Sequence, residues 1–172
     1  MSEQPLVNRV AASGLITFNL EDLFPAKEIA VFDLKDYLFM ELILKEKDFR
    51  AALKEHDWTQ YTDKHLTVTC STDAIIPVWA YMLVSVYAEA HALSVSKGTK
   101  ETFIEQHYHE VLKQVNPEDY LDKRVVIKGC SQKPVPASAY LGLTNKLRPV
   151  VKSLMYGEPC STVPLYKKPR KK

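Results

Sequence analysis

From His65 onward, short runs of strand formers alternate with helical segments, and this alternation limits the fold more than any other feature. His65 to Cys70 reads as a strand, and Ser71-Thr72-Asp73 leads into an apolar helix over about 74–90, with Pro77 in its first turn. Ala92 to Ser96 is a short strand broken by Gly98, and Thr99 caps a helix over about 100–115 that Asn116-Pro117 closes. Arg124 to Lys128 is a strand ending at Gly129-Cys130; Pro136 opens a helix over about 137–147, and Val150 to Tyr156 forms the last strand. Strand, helix, strand in this order is the pattern of a parallel sheet with crossover helices. The expected fold is therefore α/β, a three-layer sandwich on one mainly parallel sheet with Rossmann-like crossovers.

The first third reads differently. Leu15 to Leu20 alternates like a strand and stops before Pro25, and Ile29 to Phe32 and Phe39 to Leu44 are further strand candidates. Phe49, Ala52 and Leu53 recur at helical spacing within Lys45–His56. Residues 1–63 are thus expected to form a small β-rich layer and a helix. They would pack on a cysteine-bearing domain over 64–166, followed by a basic disordered tail over 167–172.

That tail distorts the overall charge. The formal net charge is +2, but residues 167–172 hold five positive charges and leave residues 1–166 at −3. The body lacks interleaved basic and aromatic residues, so nucleic acid is not an expected partner. No apolar run is long enough to span a bilayer, and Met1 to Pro5 lacks the pattern of a secretory signal. A cytoplasmic protein that does not bind membranes is the expectation.

The three cysteines, Cys70, Cys130 and Cys160, each fall just past an expected strand. An odd number in a chain large enough to bury a core argues against a disulfide framework. Two of them open similar segments. Cys70-Ser71 is followed by Pro77 and Ala80-Tyr81, and Cys130-Ser131 by Pro136 and Ala139-Tyr140. Capping preferences account for the Ser and the Pro but not for the preceding cysteine.

Neighbouring strands lie about 4.8 Å apart, so thiolates leaving adjacent strand ends can converge on one ion with Zn–S bonds of about 2.3 Å. Soft sulfur ligands favour zinc first, then iron or an iron–sulfur cluster. The site expected on this basis is a metal held by Cys70, Cys130 and Cys160, with Asp73, His56 or Glu158 as fourth ligand. It requires the three strands to be adjacent. The alternatives are a sulfur or redox carrier using the same thiols, and an interaction module whose cysteines are inert.

Other constellations are weaker. His107 and His109 lie two apart on a helix and cannot chelate as an i, i+4 pair would. Gly-rich phosphate cradles and nucleophile elbows are absent from the sequence, and no general base stands out, so whether the chain is an enzyme stays open. Trp79, Tyr81, Met82 and Tyr87 read as core residues.

Cys70 to Tyr81, Val126 to Cys130 and Met155 to Pro164 together resemble a family of uncharacterised proteins from Bacteroidetes, a domain of unknown function. The resemblance covers nearly the whole chain. It implies a stand-alone protein of unproven activity, associated with genes for iron–sulfur cluster assembly and hence with assembly proteins as partners. It supplies no catalytic residues.

Overall fold

A computed structural model describes residues 14–129 and 132–169. Among these residues seven strands form two largely parallel sheets, joined by four α-helices: β1 (Leu15–Asn19), β2 (Ile29–Asp33), α1 (Glu46–Glu55), β3 (His65–Thr69), α2 (Val78–Ala88), β4 (Ser94–Lys97), α3 (Lys100–Lys113), β5 (Arg124–Lys128), α4 (Ala137–Leu147), β6 (Ser153–Glu158) and β7 (Ser161–Lys167). The α/β class and the parallel pairing agree with the sequence, but the strands do not share one sheet. One sheet has the order β2-β3-β4, all parallel, and the other β1-β5-β6-β7, with β7 antiparallel.

The chain divides into two units. Pro25–Ile104 forms a continuous unit, and residues up to Phe24 together with those from Glu105 form a split one. The strands assigned by sequence to an N-terminal layer are therefore sheet members: β2 pairs with β3, and β1 pairs with β5.

Each unit repeats the same plan. A strand (β2 or β1) runs into a 3-10 turn (Leu34–Tyr37 or Leu20–Leu23), and a helix (α1, or α3 from Glu105) into a second 3-10 turn (Trp58–Tyr61 or Pro117–Tyr120). A middle strand, a helix and a third strand follow: β3-α2-β4 or β5-α4-β6. The match extends to residues. Tyr61 and Tyr120, Asp63 and Asp122, Pro77 and Pro136, Ala80 and Ala139, and Gly98 and Gly157 are each separated by the same 59 positions. Asp63 and Asp122 both adopt left-handed backbone (φ 62° and 53°). The similarity visible at the two Cys-Ser segments is thus one stretch of a repeat that spans both units, with one copy inserted into the other.

The cores follow from this plan. The middle strands β3 and β5 are buried at their three central positions because a parallel strand between two others is covered on both faces. Leu66 and Val68 pack with Phe32, Phe49, Leu53, Trp58, Ala80 and Val84 in the continuous unit. The one buried hydroxyl in that strand, Thr67 Oγ1, donates to Ala30 C=O at 3.1 Å. In the split unit Val125, Val126, Ile127, Tyr108, Leu143, Leu147 and Leu154 are buried, and Tyr108 O–H donates to Leu20 C=O at 2.8 Å.

Three local expectations change. Helix α2 begins at Val78, not residue 74, because Pro77 (φ −61°, ψ 139°) is its extended N-cap and disfavours helical backbone in the residue before it. Phe39 to Leu44 is a turn joined by a single Phe39–Ile43 bridge, with Met40 and Glu41 both left-handed (φ 53° and 58°). β7 is a strand that the sequence hid behind Pro164, a residue tolerated there because β7 is the edge strand.

Candidate functional site

In both units a carboxylate from the first strand's end holds the loop that follows the middle strand. In the continuous unit Asp33, at the N-cap of its 3-10 turn, accepts from Lys35 N–H at 3.0 Å and from Ser71 N–H at 3.0 Å through one oxygen. Burial works against its charge. Hydrogen bonds from the Ser71 side chain and from the Lys35 and Ser71 amides, with the Lys35 charge, outweigh that and hold the carboxyl below its ordinary value. In the split unit Glu21, buried in its 3-10 turn, accepts from Gln132 N–H at 2.8 Å and Lys133 N–H at 3.3 Å. The Tyr140 hydroxyl donates to Gly129 C=O in the same loop.

These loops bear two of the three cysteines. Cys70 is half-buried, and its Sγ lies 3.6 Å from Thr72 C=O. The Tyr81 phenol is raised by burial and, secondarily, by Cys70. Cys130 lies outside the described residues. Cys160 is a free, exposed thiol in the hairpin turn between β6 and β7.

Among the described residues no metal centre of the expected kind forms. Cys70 follows β3 of the β2-β3-β4 sheet, whereas Cys160 follows β6 of the other sheet, so the strand adjacency that convergence requires is missing. No group of three or more His, Cys, Asp or Glu side chains among the described residues could hold a metal ion.

The expected fourth ligands are placed elsewhere as well. His56 Nδ1 is 3.1 Å from the Tyr37 hydroxyl and its Nε2 3.1 Å from that of Tyr61, so both ring nitrogens are engaged. The ring also stands edge-on to Trp58 and Phe32, and burial lowers its pKa against an opposing effect of the Asp57 charge. Glu158 pairs with Lys128 at 3.2 Å. Asp73 is exposed in the loop before α2. A metal-binding protein, with the zinc, iron and iron–sulfur roles attached to it, is therefore set aside.

A different surface emerges in the continuous unit. Leu42, Ile43, Leu44, Ala74, Ile75 and Pro77, with Asp73, line an open groove of about 450 Å³. Leu42 and Ile43 are 63% and 60% exposed, and Ile75 is 94% exposed. Beside it α2 exposes Val78, Met82 and Val86 along one stripe while burying Ala80, Val84 and Ala88. Met82, which the sequence suggested for the core, is 64% exposed. A helix apolar on every side carries no periodic sign of which face is covered, which is why the sequence missed this surface. The signal that was present is the excess itself: α2 has more apolar residues than one sheet-facing stripe uses.

No helix among the described residues is long and apolar enough to cross a membrane. No curated protein and no solved structure matches the chain. A family match covers residues 4–168, nearly the whole sequence, and agrees with the resemblance carried by the Cys70, Val126 and Met155 segments. The chain belongs to the family described as "Protein of unknown function (DUF2480)".

Proposed function

We propose that the chain is a docking protein that uses the Leu42–Ile75 groove to bind an apolar segment of another protein. The observation that carries this reading is the exposure of Ile75, Leu42 and Ile43 around one concave surface. Soluble proteins rarely leave large apolar side chains clustered in a groove unless something covers them. The 39–43 turn adds to the case, since left-handed backbone at Met40 and Glu41 is costly for residues with a Cβ and holds Leu42 and Ile43 outward. Asp73 is the one ionisable side chain among the groove-lining residues. It suits a partner segment with a Lys or Arg beside its apolar residues. The same reading places the protein in the cytoplasm, where the free thiols of Cys70 and Cys160 persist reduced.

The first test is binding of the apolar dye anilinonaphthalene sulfonate to the folded protein at neutral pH. Wild type should enhance the dye's fluorescence, and Ile75→Asp should abolish most of that signal while leaving circular dichroism and Tm unchanged. Equal enhancement by the variant would show that the groove is not the apolar binding surface.

A further inference from the structure

The repeat makes one difference between the units informative. In the split unit the third strand, β6, is covered by β7; in the continuous unit the corresponding strand, β4, is the last of its sheet among the described residues. Leu93 N–H donates to Lys64 C=O on the β3 side, just as Lys152 N–H donates to Lys123 C=O in the other unit. Strand alternation then turns the amides of Ser94 and Ser96 toward the open edge. Their counterparts Ser153 and Met155 lie within the run Ser153–Glu158 that β7 pairs, opposite Lys167 and Pro164, and Ser153 N–H also reaches Lys123 C=O at 3.3 Å.

The groove beside that edge also has a covered counterpart. In the split unit Tyr140, Leu141 and Tyr156 line a hollow that Leu165 of β7 flanks. In the continuous unit Tyr81, Met82, Val95 and Lys97 line the matching hollow, with no residue of a further strand among its lining. The Ser96 hydroxyl oxygen is buried without a hydrogen-bond partner among the described residues. Val78 and Val86 extend the exposed Met82 stripe by a turn in each direction.

We propose that β4 pairs with β4 of a second copy of this chain, antiparallel about a two-fold axis through Val95. Antiparallel pairing matches outward-facing residues with outward-facing residues, so Ser94 of each copy exchanges backbone hydrogen bonds with Ser96 of the other. Val95 then faces its own equivalent on the α2 side of the sheet, a close apolar pair. Lys97, the strand's one charge, stands opposite Leu93 and not another lysine, so no like charges meet. Four residues of strand are a weak interface alone. The Val78–Met82–Val86 stripes brought together above the junction supply the apolar area, and a two-fold contact uses the same patch on both copies. The pairing continues β2-β3-β4 into a six-stranded sheet and removes its open edge.

Sedimentation equilibrium of the full chain over the micromolar range tests this. Wild type should be a dimer. Met82→Asp/Val86→Asp changes exposed residues only and should raise the dimer Kd by about tenfold or more with circular dichroism unchanged. Ser96→Pro removes one outward N–H, which an edge strand tolerates in the monomer, and should weaken the dimer likewise. Leu141→Asp, on the corresponding helix of the split unit, should leave it intact. A monomeric wild type overturns the proposal, including the case in which a foreign strand occupies the edge. So does a dimer that survives both β4-side variants. Leu42→Asp, which alters the docking groove, should not change the sedimentation result.

Discussion

Asp33 and Ser71 are 38 residues apart in the chain, and a 3.0 Å hydrogen bond from the Ser71 amide to the Asp33 carboxylate ties the end of β2 to the loop that opens the docking groove. The same carboxylate caps its own 3-10 turn through Lys35. Replacing Asp33 with Ala should therefore cost about 1–2 kcal/mol, the usual cost of losing a cap together with a loop anchor. Because the carboxyl is held below its ordinary value of 3.8, its contribution is complete above that value and is lost as the pH falls through its lower folded value. Urea titrations at pH 7 and in the acid range should show the wild-type advantage over Asp33→Ala narrowing only in strong acid.

Glu21 plays the matching part in the split unit, and it is buried. Glu21→Ala leaves the Gln132 and Lys133 amides without their acceptor and should cost about 1–3 kcal/mol, whereas Glu21→Gln keeps an oxygen in place and should cost less. Chemical denaturation of the two variants against wild type gives the comparison.

His56 links Tyr37 to Tyr61, whose phenol burial pushes up to about 12. Burial lowers the His56 pKa from 6.5, so the folded state prefers the neutral ring. Its stabilising effect is full above pH 6.5 and is lost as the pH falls through the lower folded value. NMR titration should place His56 below 6.5, and Tm should decline in that range for wild type but not for His56→Gln.

Gly98 and Gly157 occupy the same place in the repeat, at φ 131° and 116°. A Cβ at Gly157 would sit 2.7 Å from Ser161 C=O oxygen, a backbone atom, while one at Gly98 would meet the Thr102 hydroxyl, which can rotate away. Both Ala variants should destabilise through backbone strain, about 1–3 kcal/mol, with Gly157→Ala the worse. Thermal melts of the two single variants decide the order.

Much of the fold was legible because parallel strands buried on both faces read as apolar runs: Leu66 to Val68 and Val125 to Ile127 were plain in the sequence. Their division between two sheets was not, since β3 and β5 look alike whichever neighbours they have. The metal reading turned on that point: Cys70 and Cys160 do follow strands, but strands of different sheets, and no metal-holding group occurs among the described residues. His107 shows the same limit on a smaller scale. Its place in the sequence gives no sign of a distant partner, yet its Nε2 lies 2.9 Å from Leu23 C=O, 84 positions away. The near-repeat was legible at Cys70 and Cys130, which are 60 positions apart, whereas Tyr61/Tyr120, Pro77/Pro136 and Gly98/Gly157 keep an offset of 59; that one-residue shift hid how far the repeat runs, which the shared left-handed backbone of Asp63 and Asp122 makes plain.

The most direct test of the docking function is site-specific photo-crosslinking in living cells that make the protein. A photoreactive phenylalanine analogue is placed at position 75 or 42, and at exposed Lys54 as control. Discrete protein adducts from positions 75 and 42, absent at 54 and lost when the untreated neighbour Ile43 is changed to Asp, are the predicted result. No adduct at either groove position, or the same adducts from all three, would contradict the claim that this groove is where the protein binds its partner.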